Sequence, residues 1–485
     1  MNGNVLDLAV IGLYLAGVAA IGIALRGRQE GMGDYFLGNR SVPWPLILLS
    51  IVATETSSVT FLSVPGVSYG GDMTFLQLPI GYIVGRLGVA IFLMPQFFRG
   101  EQMTLYETFG RRFGRNVQQL NSVMFIMTRS VADGLRLFLT ALVVHELTSW
   151  DFAFSVATVG VATIAYTFLG GIRAVIWTDF VQFFVYMIGA VVAGLIMIER
   201  VPGGFSGLID AGGVARKFAM LDFGFDATKP YTFWAGLVGG GFLSAATHGA
   251  DQMMVQRYLC TNSVSHARLA LVSSGFVVLF QFAIFLVLGV GLYCFYQTEP
   301  PQVRNDEVFV RFIVDELPPG VRGLTVAAVF SAAMSTLSSS LNAVASAAVA
   351  DLYQPLVRPK ATPNHYLGVS RYLTVAAGLV QMAVALAGQL LPADSPTVNN
   401  VLTVASFVTG ITLGVLLLGV LVPRAGQSAA ITGMLVGATA VLLVWLKAQS
   451  WLGGSVAWPW FSLIGSLSTL TVGTVAAWFA PRECS

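Results

Sequence analysis

Apolar stretches of about 20 residues, the length that carries a helix across the hydrocarbon core of a bilayer, recur along this chain from one end to the other with short gaps between them. That recurrence leaves few folds open. In lipid the backbone must satisfy its own polar groups, so only helices and closed barrels cross, and the alternation of barrel strands is missing. Composition agrees. The 485 residues are 55% hydrophobic and 10% charged, whereas soluble domains carry about 25% charged residues. Lipid must therefore be the solvent of much of the surface. About thirteen segments meet the length criterion, near 4–26, 43–71, 74–98, 117–146, 150–169, 173–199, 231–258, 268–296, 321–351, 367–390, 397–422, 428–448 and 457–480. The chain is expected to form one all-α membrane bundle. The longest connections, 200–230 and 297–320, contain Gly and Pro with mixed charge and read as caps outside the membrane.

Several classes fall away. A net charge of +2 gives no reason to expect a nucleic-acid partner. Cys260, Cys294 and Cys484 lie far apart, without metal-ligand spacing, and read as unpaired thiols. The four histidines form no cluster, and no zinc, haem or phosphate-loop pattern is present. Residues 1–26 have the length of a signal peptide, but Asp7 stands where a basic flank belongs and the apolar run is long enough to span, so a retained first helix is expected. Lys and Arg give an orientation. Arg28, Arg40, Arg99, Arg111, Arg112, Arg115, Arg173, Arg268, Arg358, Lys360 and Arg424 fall in gaps on one side, while the short gaps 72–73, 147–149 and 391–396 on the other hold none. The N-terminus is expected outside and the C-terminus in the cytoplasm.

Charges and dense polar groups inside spans carry the chemistry, because a mid-membrane charge costs about 2.5–3.5 kcal/mol on insertion scales. The second segment reads Thr54-Glu55-Thr56-Ser57-Ser58-Val59-Thr60, with Pro65-Gly66 beyond. A broken helix there would free carbonyls able to ligate a cation; hydroxyls bonding back to their own helix are the alternative. The ninth places Ala332, Ser335, Thr336 and Ser339 on one helical face, followed by Ser340 and Asn342. Such oxygens suit a small hard cation, and such small side chains also suit close helix packing. Asp179 lies in the sixth segment, about two turns inside from Arg173. The seventh carries Gly239 to Gly241, then Ser244, Thr247, His248, Asp251 and Gln252; Gly240 is either a break or a contact point. In the fourth, Arg129, Asp133 and Arg136 share a face. Asp133 neutralises one arginine there, and the cluster either is structural or leaves one positive charge for an anionic solute.

Taken together these segments resemble the sodium:solute symporter family, whose members include proline, glucose, iodide and sialic-acid transporters. The resemblance is carried by Asp34-Tyr35-Phe36-Leu37-Gly38-Asn39-Arg40, by the Ala53–Gly66 stretch and by Gly170-Gly171-Ile172-Arg173-Ala174-Val175-Ile176-Trp177-Thr178-Asp179. It continues in Asp251-Gln252, Val255-Gln256-Arg257-Tyr258-Leu259 and Met334-Ser335-Thr336-Leu337-Ser338-Ser339, in that order along nearly the whole chain. It implies a leucine-transporter-type core of two five-helix repeats in inverted topology. Residues 1–42 would be a first helix and cytoplasmic loop, 43–199 the first repeat, 200–230 an extracellular connection, 231–422 the second repeat, and 423–485 two C-terminal helices. By position it also implies a sodium site of the carbonyls of Ala53, Thr56 and Ala332 with the hydroxyls of Ser335 and Thr336. A second sodium would sit at Asp179, Ser335, Ser338 and Ser339. On this reading Ser335 and Thr336 face the second helix and Ser338 and Ser339 face Asp179. Glu55, Ser57 and Thr60 align with substrate-facing or ion-adjacent places, although Glu55 replaces the asparagine or aspartate of several relatives. Ser244, Thr247 and His248 stand near the solute, where sugar transporters carry aromatic residues. Arg129 or Arg136 would take a carboxylate, as an arginine does in the sialic-acid transporters.

The expected function is import of a small polar organic solute, with or without a carboxylate, coupled to sodium by alternating access. A sugar or other neutral solute is an alternative, and so is a solute sensor on the same fold. A channel would need a pore motif and an enzyme a catalytic constellation; neither is legible here. The expected partners are the solute, sodium and the bilayer.

Overall fold

A computed structural model describes residues 2–24, 31–100, 102–390, 397–447 and 456–479, and the regular structure among them is helix joined by loops, without a strand. Arg28, the gap 391–396 and Cys484 lie outside the described residues. The main helices are α1 (Asn2–Ala24), α2 (Trp44–Glu55), α3 (Ser58–Gly70), α4 (Thr74–Phe97), α5 (Arg115–Thr148), α6 (Phe152–Arg200), α7 (Gly241–Ala250), α8 (Gln252–Leu259), α9 (Val264–Phe295), α10 (Val321–Ala347), α11 (Pro363–Ala387), α12 (Thr397–Leu421), α13 (Gln427–Lys447) and α14 (Phe461–Phe479). By length and composition, eight helices among the described residues can cross a membrane, or nine if α2 and α3 are one span. Within the described residues, helix is present in each of the expected segments. The counts differ because 150–169 and 173–199 adjoin at Gly171, because 43–71 and 231–258 break, and because α5 with its charged residues and α12 with its shorter apolar stretch fall outside the eight.

Residues 150–169 and 173–199 are two helices joined end to end within Phe152–Arg200, labelled α6, with a kink where Gly171 takes φ 57° and ψ −160°. Only glycine adopts this conformation freely, and a Cβ there would lie 2.5 Å from the Tyr35 carbonyl oxygen. The segment near 43–71 divides into α2 and α3, bent by 65°. The segment near 231–258 divides at Asp251 (φ −107°, ψ 122°), whose carboxylate caps α8 by accepting from the Met253 amide at 2.8 Å. Gly240 does not break the helix. It lies in a π-turn, Ala235–Gly240, laid against α4. The approach is close: a Cβ on Gly81 would be 1.9 Å from the Gly236 carbonyl oxygen.

The helix α10 is the buried axis of the bundle, with every residue from Thr325 to Ala347 buried. It packs against α6, α5 and α1, and also touches α2, α3 and α8. Its first turn is capped from far away. The Asp7 carboxylate of α1 accepts from the backbone amides of Gly320 at 2.7 Å and Gly323 at 2.8 Å, and pairs with Arg322 at 2.6 Å. A carboxylate at a helix N-terminus meets the free N–H groups and the positive end of the dipole. The far end of α3 is capped by a cation instead. The Lys217 ammonium, in the 200–230 connection, donates to the carbonyls of Tyr69 (2.7 Å) and Gly71 (2.8 Å) and lies 4.1 Å from the centre of the Tyr293 ring. Burial lowers its pKa from the ordinary value of 10.5, against the opposing pull of Asp72. The helices α12, α13 and α14 form a separate packed group on the flank, with α12 lying on α7 and α5.

Candidate functional site

The break between α2 and α3 organises the site. Thr56 is extended (φ −87°, ψ 99°), so the last carbonyls of α2 lose their helical donors. Ser57 restarts the helix by accepting from the Thr60 amide at 3.3 Å. The hydroxyl of Thr336 on α10 reaches across and donates to the Thr54 carbonyl at 3.1 Å, which seats α10 against the break. Ala53, Thr56, Ala332, Ser335 and Thr336 are all buried here. Thr56 also holds α9, accepting from the Gln281 amide group at 2.6 Å. The group offers neutral oxygens, the donor set a sodium ion needs.

The serines of α10 divide differently from expectation. Ser335 donates to Asp179 Oδ1 at 2.7 Å. Ser339, one turn on and so on the same face, stands 3.0 Å from the Thr54 hydroxyl and donates to the Ser335 carbonyl at 2.7 Å. Ser338 donates to the Ser335 carbonyl at 3.2 Å. Asp179, fully buried on α6, therefore meets Ser335 and Ser50 (2.5 Å), with Thr54 at 3.4 Å.

Sequence reasoning missed the cation in that cage. Arg257 of α8, fully buried, inserts its guanidinium among the same oxygens. Nε donates to Ser50 Oγ at 2.8 Å, Nη1 to the Met253 carbonyl at 2.6 Å, and Nη2 to Thr54 Oγ1 at 2.5 Å. Nη2 also donates to Ser339 Oγ and pairs with Asp179 Oδ2 at 3.1 Å. The signal was available, since an arginine in an apolar run is as costly as the aspartate that was noticed.

Above the break lies a cavity of about 540 Å³. Of the expected solute residues, Glu55, Ser57, Thr60, Arg129, Arg136, Ser244 and Thr247 line it. His248 does not. It sits behind Glu55, with Nδ1 2.9 Å from the Tyr258 hydroxyl and Nε2 3.7 Å from Glu55 Oε2. Arg86 of α4, fully buried and likewise missed from the sequence, pairs with Glu55 Oε2 and donates to Ser274 Oγ at 2.8 Å. The aromatic wall comes from Phe75, Tyr82, Tyr231, Phe282 and Trp458. No single element supplies it, and so no motif announced it. In the α5 cluster, Arg129 pairs with Asp133 at 2.6 Å and also with Asp251 at 3.1 Å, while Arg136 pairs with Asp133. The single leftover charge inferred from spacing is thus balanced by Asp251, a residue 122 positions away from Arg129.

Comparisons with known proteins agree with this geometry. The model of the sodium:solute symporter family matches residues 35–437. The chain is 29% identical to the sodium/sialic acid symporter SiaT of Proteus mirabilis, over 99% of this chain and 96% of that protein. It is 30% identical to the sodium/sialic acid symporter NanT of Aliivibrio fischeri, over 96% and 91%, and 29% identical to the human sodium/iodide cotransporter, over 91% and 69%. Its structure matches a substrate-bound, outward-open Na+-coupled sialic acid symporter, described as revealing a novel Na+ site, with a TM-score of 0.89 and 28% identity over 99% of both chains. It matches Mhp1, a nucleobase-cation-symport-1 family transporter, with a TM-score of 0.59 and 11% identity over 93% and 95%, a likeness of fold alone.

Proposed function

The chain belongs to the sodium:solute symporter family, and from that premise we propose that the cavity above the α2–α3 break takes a small organic acid, carried inward with sodium by alternating access. The chain is a sodium-coupled, multi-pass membrane symporter with the leucine-transporter-type fold, and not an enzyme. The observation that carries the acid reading is Arg136. Its guanidinium lines the cavity and is oriented from behind by Asp133. Arginine offers a carboxylate two parallel hydrogen bonds, which lysine cannot reproduce. That two of the relatives transport sialic acid, a carboxylate-bearing sugar, supports the same reading.

Sodium enters the proposal at two places. The first site takes the carbonyls of Ala53, Thr56 and Ala332 and the hydroxyls of Ser335 and Thr336. The second takes Asp179 with Ser335, Ser338 and Ser339, where Arg257 already holds part of the oxygen cage. We place the N-terminus outside and the C-terminus in the cytoplasm, with thirteen crossings.

The test is uptake of labelled N-acetylneuraminate and simpler organic acids into proteoliposomes under an imposed sodium gradient. Arg136→Ala and Arg136→Lys should both weaken acid binding about tenfold or more, the scale of one charge-assisted pair, while sodium still stabilises the protein. Normal acid uptake by Arg136→Ala would refute the acid reading. One observation favours a second reading, a neutral solute: the two arginines of α5 face two carboxylates, Asp133 and Asp251, with no charge left over.

A further inference from the structure

The cavity wall carries charge of both signs, and not equally accessible. Among its ion pairs, the side chains of Glu55 and Arg136 are 18% and 16% exposed, Arg129 is 10%, and Asp251 is 4%. The two groups that reach furthest into the space are therefore a carboxylate and a guanidinium. Each is backed by a fully buried partner of opposite charge, Arg86 behind Glu55 and Asp133 behind Arg136.

Glu55 is held by one oxygen only. Arg86 and His248 both approach Oε2, and no hydrogen bond of a described residue engages Oε1. Arg86 thus fixes the carboxylate while its other oxygen stays available as an acceptor. The wall also carries the aromatic rings of Phe75, Tyr82 and Phe282.

We infer that the solute is a zwitterion, with its carboxylate at Arg136 and an ammonium or secondary ammonium group at Glu55. This rests on the reading of Arg136 as the carboxylate partner and adds a second anchor to it. The physical reason is desolvation. A charge moved from water into a buried cavity loses hydration and regains it only through a partner of opposite sign. At Arg136 a carboxylate finds one. At Glu55 an ammonium finds one through charge-assisted hydrogen bonds, whereas an acid with only acceptor groups at that end faces like charge in low dielectric. A zwitterion also brings no net charge, so the cavity stays neutral and the current of a transport cycle is that of sodium alone.

The experiment uses the purified full-length protein in sodium, with matched ligands that differ in one group: proline against cyclopentanecarboxylate, phenylalanine against 3-phenylpropanoate, and N-acetylneuraminate as an amide-bearing anion. Binding is read by thermal stabilisation and by competition for uptake. At least one amino acid should bind ten-fold or more tighter than its analogue lacking nitrogen. Glu55→Gln should erase that difference while leaving stabilisation by sodium. In proteoliposomes the charge moved per solute should equal the sodium moved per solute. If the acids without nitrogen bind as well as the amino acids, the zwitterion is overturned and the acid reading stands. If no acid binds and only neutral sugars do, both fall. Should Glu55→Gln fail to fold, the matched pairs and the charge-to-sodium ratio on the unaltered protein still decide.

Discussion

Arg257 and Asp179 are a buried ion pair inside a ring of hydroxyls, and removing one member should show it. Arg257→Met leaves Asp179 charged and unpaired, a change that typically costs about 3–5 kcal/mol. We expect a lower melting temperature in choline chloride and a larger stabilisation by added sodium than in the parent protein, because the vacated oxygens of Ser50, Thr54 and Asp179 then suit a small cation. Equal sodium stabilisation in both proteins would show that Arg257 does not hold the cage against sodium. Asp179→Asn tests the other partner: if a second sodium binds there, the sodium-to-solute stoichiometry in liposomes falls by one. At this scale the sequence was legible in part. Glu55, Asp179 and the Ser335–Ser339 turn stood out because polar groups at mid-membrane need a reason. Arg86 and Arg257 did not, since each looks isolated until the fold brings in Glu55 from 31 residues away and Asp179 from 78.

At the scale of elements, glycine and a single lysine set geometry that hydropathy does not register. Gly171→Ala would force a Cβ to within 2.5 Å of the Tyr35 carbonyl oxygen at a positive φ, so the chain must shift or unkink. We expect a loss of about 1–3 kcal/mol, the scale of such backbone strain, read as a lower melting temperature with uptake impaired to match. Two helices were expected here, and two helices meet at Gly171, whose one-residue bend falls in the gap left between the apolar runs. The break of α2 from α3 was legible because it coincides with hydroxyl density, whereas the bend at Asp251 coincides with a capping carboxylate that spacing could not tell from a membrane charge. Lys217→Met would strip the donors from the end of α3, at about 1–3 kcal/mol for the unsatisfied carbonyls. Since burial depresses the Lys217 pKa, the unfolded chain holds the extra proton between the folded value and the ordinary one. This residue therefore makes stability rise with pH on the approach to 10.5, and the variant should lack that slope in a pH series of unfolding curves.

For the whole molecule the prediction is sidedness. A tag fused after Ser485 should resist external protease in intact cells and become cleavable on permeabilisation; cleavage in intact cells would reverse the proposed orientation. Replacing sodium by choline should abolish concentrative uptake altogether, which separates a symporter from a sensor. The contact of Asp7 with the start of α10 has a consequence for how the protein is made. Its hydrogen bond to Gly320 joins residues 313 positions apart. At ribosomal speeds of about 5–20 residues per second, that partner emerges roughly 15–60 s after Asp7 does. Through that interval the carboxylate waits at the membrane with its cap unmade, and the helix that carries Ser335 to Ser340 cannot be completed until the earliest part of the chain is already in place. Seating of α10 at the centre of the bundle is thus a late event that depends on the first helix being held ready, and a fusion or deletion that delays α1 should show up as protein trapped by the quality-control proteases before any defect in transport can be measured.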